Sequence, residues 1–295
     1  NKLNGNLEQI AMQFPLWRRY IAMSLGVNPY SAVGYDFALV DSINSDYYFS
    51  KGYRGEGGFT QVYGGISFNI CDWVAIGANA YYMFGDVSQT RSLNFTDASI
   101  DSVSQVDKLT ANSLRLRYGI QVFHTFGKHT INLGAVYENK QAFSRMSYEQ
   151  IENTTNDTVA TMSSGFEMPM MYAVGLSYDY ANRVLIGLDY QCQDWAKVLY
   201  FNENDALSTR HRWALGAEYR HDPSSRRFLH RMYWRMGVSY ATSYTTQFKQ
   251  PAMAVSMGFG FPLRTIGTVV NTTFEYGRRG FVSGQMNENY LRFVV

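Results

Sequence analysis

No stretch of about 18 consecutive apolar residues occurs in this chain of 295 residues, so no segment qualifies as a membrane-spanning helix. Charge is scarce as well: 17% of residues are Asp, Glu, Lys or Arg, against roughly 25% in soluble domains. The net charge is +2 and no basic block stands out, which leaves nucleic acid without an electrostatic footprint. Two cysteines are too few for a disulfide framework. Cys71 falls in a turn and Cys192 well up a strand, so they are not expected to pair. The chain begins at Asn1 with neither Met nor a signal peptide, and reads as a mature or partial chain. His124, His129, His211, His221 and His230 mostly flank turns and lack metal-ligand spacing. No Ser, His and carboxylate fall into register. The expectation is a non-enzyme without cofactor or metal.

Aromatic residues are plentiful: 16% of the chain, with 23 Tyr and 19 Phe. They belong to a pattern of period two. Val184, Ile186, Leu188, Tyr190 and Cys192 alternate with Leu185, Gly187, Asp189, Gln191 and Gln193. A strand points successive side chains to opposite faces, so this segment has one apolar and one mostly polar face. Leu114 to Val122, Ile131 to Lys140, Trp213 to Arg220 and Met232 to Tyr240 read the same way.

Thirteen such segments can be marked: 5–14, 17–38, 55–70, 72–92, 106–124, 129–148, 164–180, 183–203, 206–222, 228–247, 248–262, 265–284 and 287–295. Tight turns at one end alternate with longer polar stretches at the other, notably Asp41–Gly55, Leu93–Lys108 and Gln150–Ser164. That is an antiparallel up-and-down β-barrel forming one domain over residues 1–295. The first and last segments run in the same direction and such barrels have even strand numbers, so about 14 strands are expected, with the first strand outside this chain.

Alternation alone fits a soluble or a membrane barrel. Three features favour the membrane. Tyr and Trp sit near segment ends on the apolar faces, as an interfacial girdle would. The opposite faces mix charged residues, Gln and Gly. About eight strands already enclose all that side chains can fill, so thirteen would leave a soluble core hollow. On this reading Leu116, Ile120, Leu133, Ile186, Leu188, Leu215, Met236 and Val238 face lipid. Arg115, Arg117, Glu138, Lys140, Asp189, Gln191, Arg212, Glu218, Arg235 and Glu275 face the lumen. Their mixed signs favour cross-strand ion pairing over a selective pore lining.

The order of short motifs carries a family likeness. Leu25–Phe37 (LGVNPYSAVGYDF), Tyr53–Ile70 (YRGEGGFTQVYGGISFNI), Trp73–Val87, Leu185–Trp195 and Trp213–Arg220 together resemble the FadL-like outer-membrane proteins of Bacteroidota. The resemblance implies a fourteen-stranded barrel integral to the bacterial outer membrane. It also implies a channel or porin-like transporter for small molecules, hydrophobic ones included. In the fatty-acid transporters of the family an N-terminal hatch plugs the barrel; this chain contains none. Other barrels resembling the family are non-enzymatic subunits of larger machines, in barrel assembly or type IX secretion. Both alternatives stay open. The partners implied are outer-membrane lipids and lipopolysaccharide, with other outer-membrane proteins or lipoproteins on the second alternative, and no nucleic acid.

Three smaller motifs complete the reading. Gly55–Gly58 (GEGG) lacks a following Lys-Ser or Lys-Thr and precedes a strand, so it is no phosphate loop. Its glycines are expected to bring a long outer loop down onto a strand. Phe166–Val174 (FEMPMMYAV) is either a greasy ligand contact or, the favoured reading, a strand entering the lipid zone. Asp41-Ser42-Ile43, Asp101-Ser102-Val103 and Asp157-Thr158-Val159 resemble the O-glycosylation motif of Bacteroidota, in outer loops.

Overall fold

The computed structural model describes residues 9–18, 20–44, 47–95, 101–152, 157–200, 202–203, 207–222, 225, 227–246, 250–263, 268–280 and 287–295. The strands are β1 (Ile10–Trp17), β2 (Ile21–Asn44), β3 (Tyr47–Cys71), β4 (Val74–Phe95), β5 (Val103–Phe126) and β6 (His129–Glu138). Four short pieces follow: β7 (Gln141–Ala142), β8 (Arg145–Glu152), β9 (Asp157–Met162) and β10 (Glu167–Met168). The rest are β11 (Met171–Tyr180), β12 (Val184–Gln193), β13 (Arg210–Arg220), β14 (Tyr233–Ala241), β15 (Ala252–Pro262), β16 (Val269–Arg279) and β17 (Glu288–Val294). No helix among the described residues is long and apolar enough to cross a membrane.

One antiparallel sheet holds 15 of these strands. Its main path runs β1 to β6, then β11 to β17, thirteen strands in chain order. β8 pairs with the outer part of β5, and β9 with β8. β7 and β10 form a separate pair. Among the described residues the sheet stays open, with β1 and β17 at its edges. It curls nonetheless, because Tyr30 on β2 and Arg210 on β13 line the same cavity. This is the antiparallel up-and-down strand order that the alternation predicts.

The turn end is built by local chemistry. Ala181 and Asn182 both adopt φ of 56° and the Arg183 amide donates to the Tyr180 carbonyl, the geometry of a type I′ hairpin turn. Gly127 supplies a positive φ of 62° between β5 and β6. A four-residue helix, α1 (Phe228–Arg231), stands at this end before β14, so Arg231 is not a strand residue.

The outer end differs from expectation. β2 to β5 run 22 to 25 residues each, whereas β6 and β11 to β16 run 9 to 11. The polar stretch 41–55 is therefore not a loop: β2 continues to Asn44 and β3 begins at Tyr47. Likewise β5 begins at Val103, and 157–162 pairs with β8. Residues 34–42 of β2 are exposed on both faces, so clean alternation fades there while the backbone ladder persists. Gly57 and Gly58 lie inside β3, paired with Val33 and Ala32 of β2 and with Val87 and Asp86 of β4. Gly57 has φ of 102°, and a Cβ there would run into the Asp86 carbonyl; one on Gly58 would run into that of Ser31. Of the three glycosylation-like motifs, Asp41 and Ser42 are exposed near the tip of β2, and Asp101 and Ser102 are exposed just before β5. The side chains of Asp157 to Val159 lie outside the described residues.

Candidate functional site: the inner face of the barrel

Each strand turns one row outward and the other inward. Leu116, Ile120, Leu133, Ile186, Leu188, Leu215, Met236 and Val238 all stand exposed on the outward row, Met236 at 68%. The inward row of β3 to β6 carries a buried charge cluster. Arg115 is 5% exposed and Glu138 2%. Arg115 Nη1 donates to Glu138 Oε2 at 3.1 Å and Nη2 donates to Gln61 Oε1 at 3.2 Å. Arg117 donates from Nε to Glu138 Oε1 and from Nη1 to the Tyr81 hydroxyl, the latter at 3.1 Å. Arg117 also lies 4.5 Å from the Tyr81 ring centre and Arg115 5.1 Å from that of Tyr30. One carboxylate thus serves two guanidiniums, and the cluster keeps a positive charge. The Ser113 hydroxyl and Arg115 Nε are buried without a hydrogen-bond partner among the described residues.

Directly outward of this cluster the lining becomes apolar. Gln61, Met83 and Ser113 share one cross-strand row, and Phe59, Gly85 and Ala111 the next. Phe59, Met83, Ala111 and Met168 pack together with Phe143, Met146 and Trp195 against them. Phe59, Met83, Phe143, Met168 and Trp195 border a cavity of about 620 Å³ that also touches Tyr30, Arg210 and Tyr244. Register explains Tyr30: the pairing of β2 with β3 slips between Pro29 and Ser31. A bulge inserts an unpaired residue, so Tyr30 and Ser31 both reach the cavity.

The cover over this cavity is the chain's own segment between β6 and β11. Phe166, Met168 and Met171 are buried. The strand expected to start at Pro169 begins at Met171, with exposed apolar residues from Tyr172, and Phe166 and Met168 ahead of it turn into the cavity. Lys140 departs from expectation too. β6 ends at Glu138, and Lys140 lies beyond it, pairing with Glu167 at 2.6 Å and donating to the Lys197 carbonyl at 2.6 Å. Burial pushes the Glu167 carboxyl up, but the Lys140 ammonium and the Leu199 amide outweigh it, and the net direction is down. Asp194 is likewise held low, chiefly by its hydrogen bond from Lys197.

The remaining inward residues lie on the other side of the barrel. Glu218 and Arg235 pair at 2.6 Å, and Arg235 also donates to Asn271 at 2.6 Å. Glu275 accepts from Arg292 at 2.9 Å. Asp189 lines a space with Gly175 and Gly187, Gln191 stands opposite Arg212, and Arg212 borders a further cavity with Arg210 and Arg279. Tyr30, Tyr81, Phe59 and Arg210 were not singled out from sequence; the Pro-Tyr-Ser step at 29–31 is the one local signal that could have found Tyr30. Among the described residues no group of three or more His, Cys, Asp or Glu could hold a metal ion. Cys71 and Cys192 are both free thiols.

A curled, all-antiparallel sheet with an exposed apolar outside and a charged inside is the layout of an outer-membrane β-barrel. The solved structure of the CymD monoaromatic hydrocarbon channel has the same fold: TM-score 0.53 at 14% identity, covering 92% of this chain and 77% of that one. A Pseudomonas aeruginosa FadL homologue aligns with TM-score 0.51 at 12% identity, covering 88% and 69%. No curated relative matches the sequence. The BamG family model matches residues 1–295, and the chain belongs to the BamG family.

Proposed function

We propose that this protein is a non-enzymatic, integral barrel of the bacterial outer membrane that serves as a subunit of the barrel-assembly machinery. The observation that carries the reading is the match to the BamG family over residues 1–295. Two features of the inner face support it. The segment between β6 and β11 fills the outer lumen beside β3 to β5, and the Arg115–Glu138–Arg117 cluster beneath it braces four strands rather than leaving a smooth passage. The lipid-facing row contacts outer-membrane lipids and lipopolysaccharide, and the projecting outer wall offers Tyr35, Phe37 and Tyr48 to neighbouring outer-membrane proteins or lipoproteins.

A second reading is a channel for small apolar molecules. It is favoured by the cavity of about 620 Å³ and by the fold shared with a hydrocarbon channel. Purification from native membranes in mild detergent separates the two. Stable co-migration with other outer-membrane proteins is expected for a subunit. A lone barrel carrying a small apolar compound, detected by native mass spectrometry, would overturn the first reading in favour of the second.

A further inference from the structure

A second cavity, of about 380 Å³, opens on the inner face between β13 and β17. Its floor follows from register. Arg212 pairs with Ala241, Ala241 with Ala252, and Ala252 with Arg279. The adjacent inward row reads Ala214, Ser239, Ala254 and Gly277. Strands lie about 4.8 Å apart, so a floor of small side chains separates Arg212 from Arg279, and the Tyr290 ring, 5.5 Å from the Arg279 guanidinium, covers it at Gly277. Arg210 on β13 and Arg292 on β17 complete the rim.

The rim has more positive charge than the carboxylates around it can neutralise. Glu275, the carboxylate lining this cavity among the described residues, is occupied by Arg292. Arg279 meets Glu288 only at 3.9 Å, with both side chains more than half exposed. The Arg210 and Arg212 side chains make no ion pair or hydrogen bond among the described residues. Asp189, diagonal to Arg212 across β12 and β13, does not close an ion pair with it. Two or three guanidiniums are therefore left facing one space.

A guanidinium is a planar fork of donors that matches carboxylate and phosphate oxygens. Charge decides between the two. A carboxylate brings one negative charge, whereas a phosphate monoester brings about 1.5 to 2 and three acceptor oxygens. We propose that this cavity binds a phosphate group between Arg212 and Arg279, with Arg210 at its outer side. Arg210 and Tyr244 also line the apolar cavity described above. The phosphate is therefore either a free solute or the head of an amphiphile whose chain lies in the apolar space.

The test uses the purified full chain in a neutral, phosphorus-free detergent at low salt, with folding checked by heat-modifiable gel mobility. Binding of inorganic phosphate, hexyl phosphate and hexanoate is measured by calorimetry. Saturable binding of a phosphate is expected, weakened at least tenfold in Arg212→Gln and in Arg279→Gln and unchanged in Arg54→Gln on β3. Ala241→Phe, which fills the floor and keeps every arginine, serves if an arginine variant fails to fold, and should also abolish binding. Inorganic phosphate binding as tightly as hexyl phosphate makes the free anion the ligand. Tighter hexyl phosphate makes it an amphiphile's head. No saturable binding of either phosphate, hexanoate binding as tightly as hexyl phosphate, or wild-type affinity in the folded arginine variants or Ala241→Phe would each overturn the assignment.

Discussion

β2 to β5 form a tall wall of 22 to 25 residues per strand, and β11 to β16 a short wall of 9 to 11. A tilted strand needs about 9–11 residues to cross a bilayer, so the short wall is barely more than a membrane crossing. The tall wall carries more than ten further residues per strand, roughly 3.3 Å of length each. The walls differ inside as well. The tall wall and β6 bury charges under an apolar cover, with Glu138 at 2% exposure. The short wall leaves its pair half open, with Arg235 and Glu218 at 35% and 25%. The same alternating code thus yields a packed, polar-braced half and an open, arginine-rich half. The inserted segment, not strand composition, makes the difference.

The largest expected contrast lies in these charges. Glu138→Leu leaves Arg115 buried and unpaired, and should destabilise the barrel by about 3–5 kcal/mol. Glu218→Leu on the short wall should cost under about 1 kcal/mol, as for partly solvated pairs. Urea unfolding of the barrel from lipid vesicles measures both, and equal costs would erase the distinction between the walls. Next come the outward rows. Leu116→Arg on β5 and Leu215→Arg on β13 should each cost about 2–4 kcal/mol if near the bilayer midplane. Gln121→Arg on the inward row should cost much less. Val40→Arg, near the tip of β2, should fall within about 0.5 kcal/mol of wild type because that tip stands in water. A large penalty at Val40 would place the tall wall inside the membrane.

Backbone strain gives a smaller contrast. Gly57→Ala forces a side chain into φ of 102° and against the Asp86 carbonyl, and should cost about 1–3 kcal/mol. Gly187→Ala on β12 enters open space and should be nearly neutral in the same urea assay. The smallest effect concerns pH. Glu167 and Asp194 are both held below the ordinary carboxylate range. A depressed carboxyl stabilises the fold fully above its unfolded value of about 4 and loses that contribution as pH falls through the folded value. Trp195 emission, which reports on the cover, should stay constant from pH 8 to 5 and change only below about pH 4. A transition near neutrality would assign the cover to other groups.

Alternation made the thirteen strands of the main path legible, because period two is the direct imprint of a wall with unlike faces. It also put Arg115, Arg117 and Glu138 on one row. That these three meet depends on register between β5 and β6, which alternation does not set. Three things stayed hidden, each for a physical reason. Tyr47–Gly55 mixes polar, glycine and aromatic residues on both faces, so it read as loop. The bulge at Tyr30 shifts parity by one, moving a residue across the wall without altering composition. Met168 reaches the core from a segment that is not a wall strand at all, and no periodicity marks such an insertion.

Pairing along the main path joins chain neighbours everywhere except at β6 and β11, where Glu138 stands opposite Met171. The other connections along the path are shorter, so the molecule divides into two ribbons sutured along a single line. Closing that line requires the whole excursion from β7 to β10 to be looped out first. Loop-closure entropy grows only slowly, about 0.6 kcal/mol per doubling of length. The seam is therefore the position in this barrel where extra chain can be added with least penalty to folding, and it is where the chain placed the segment that fills its interior.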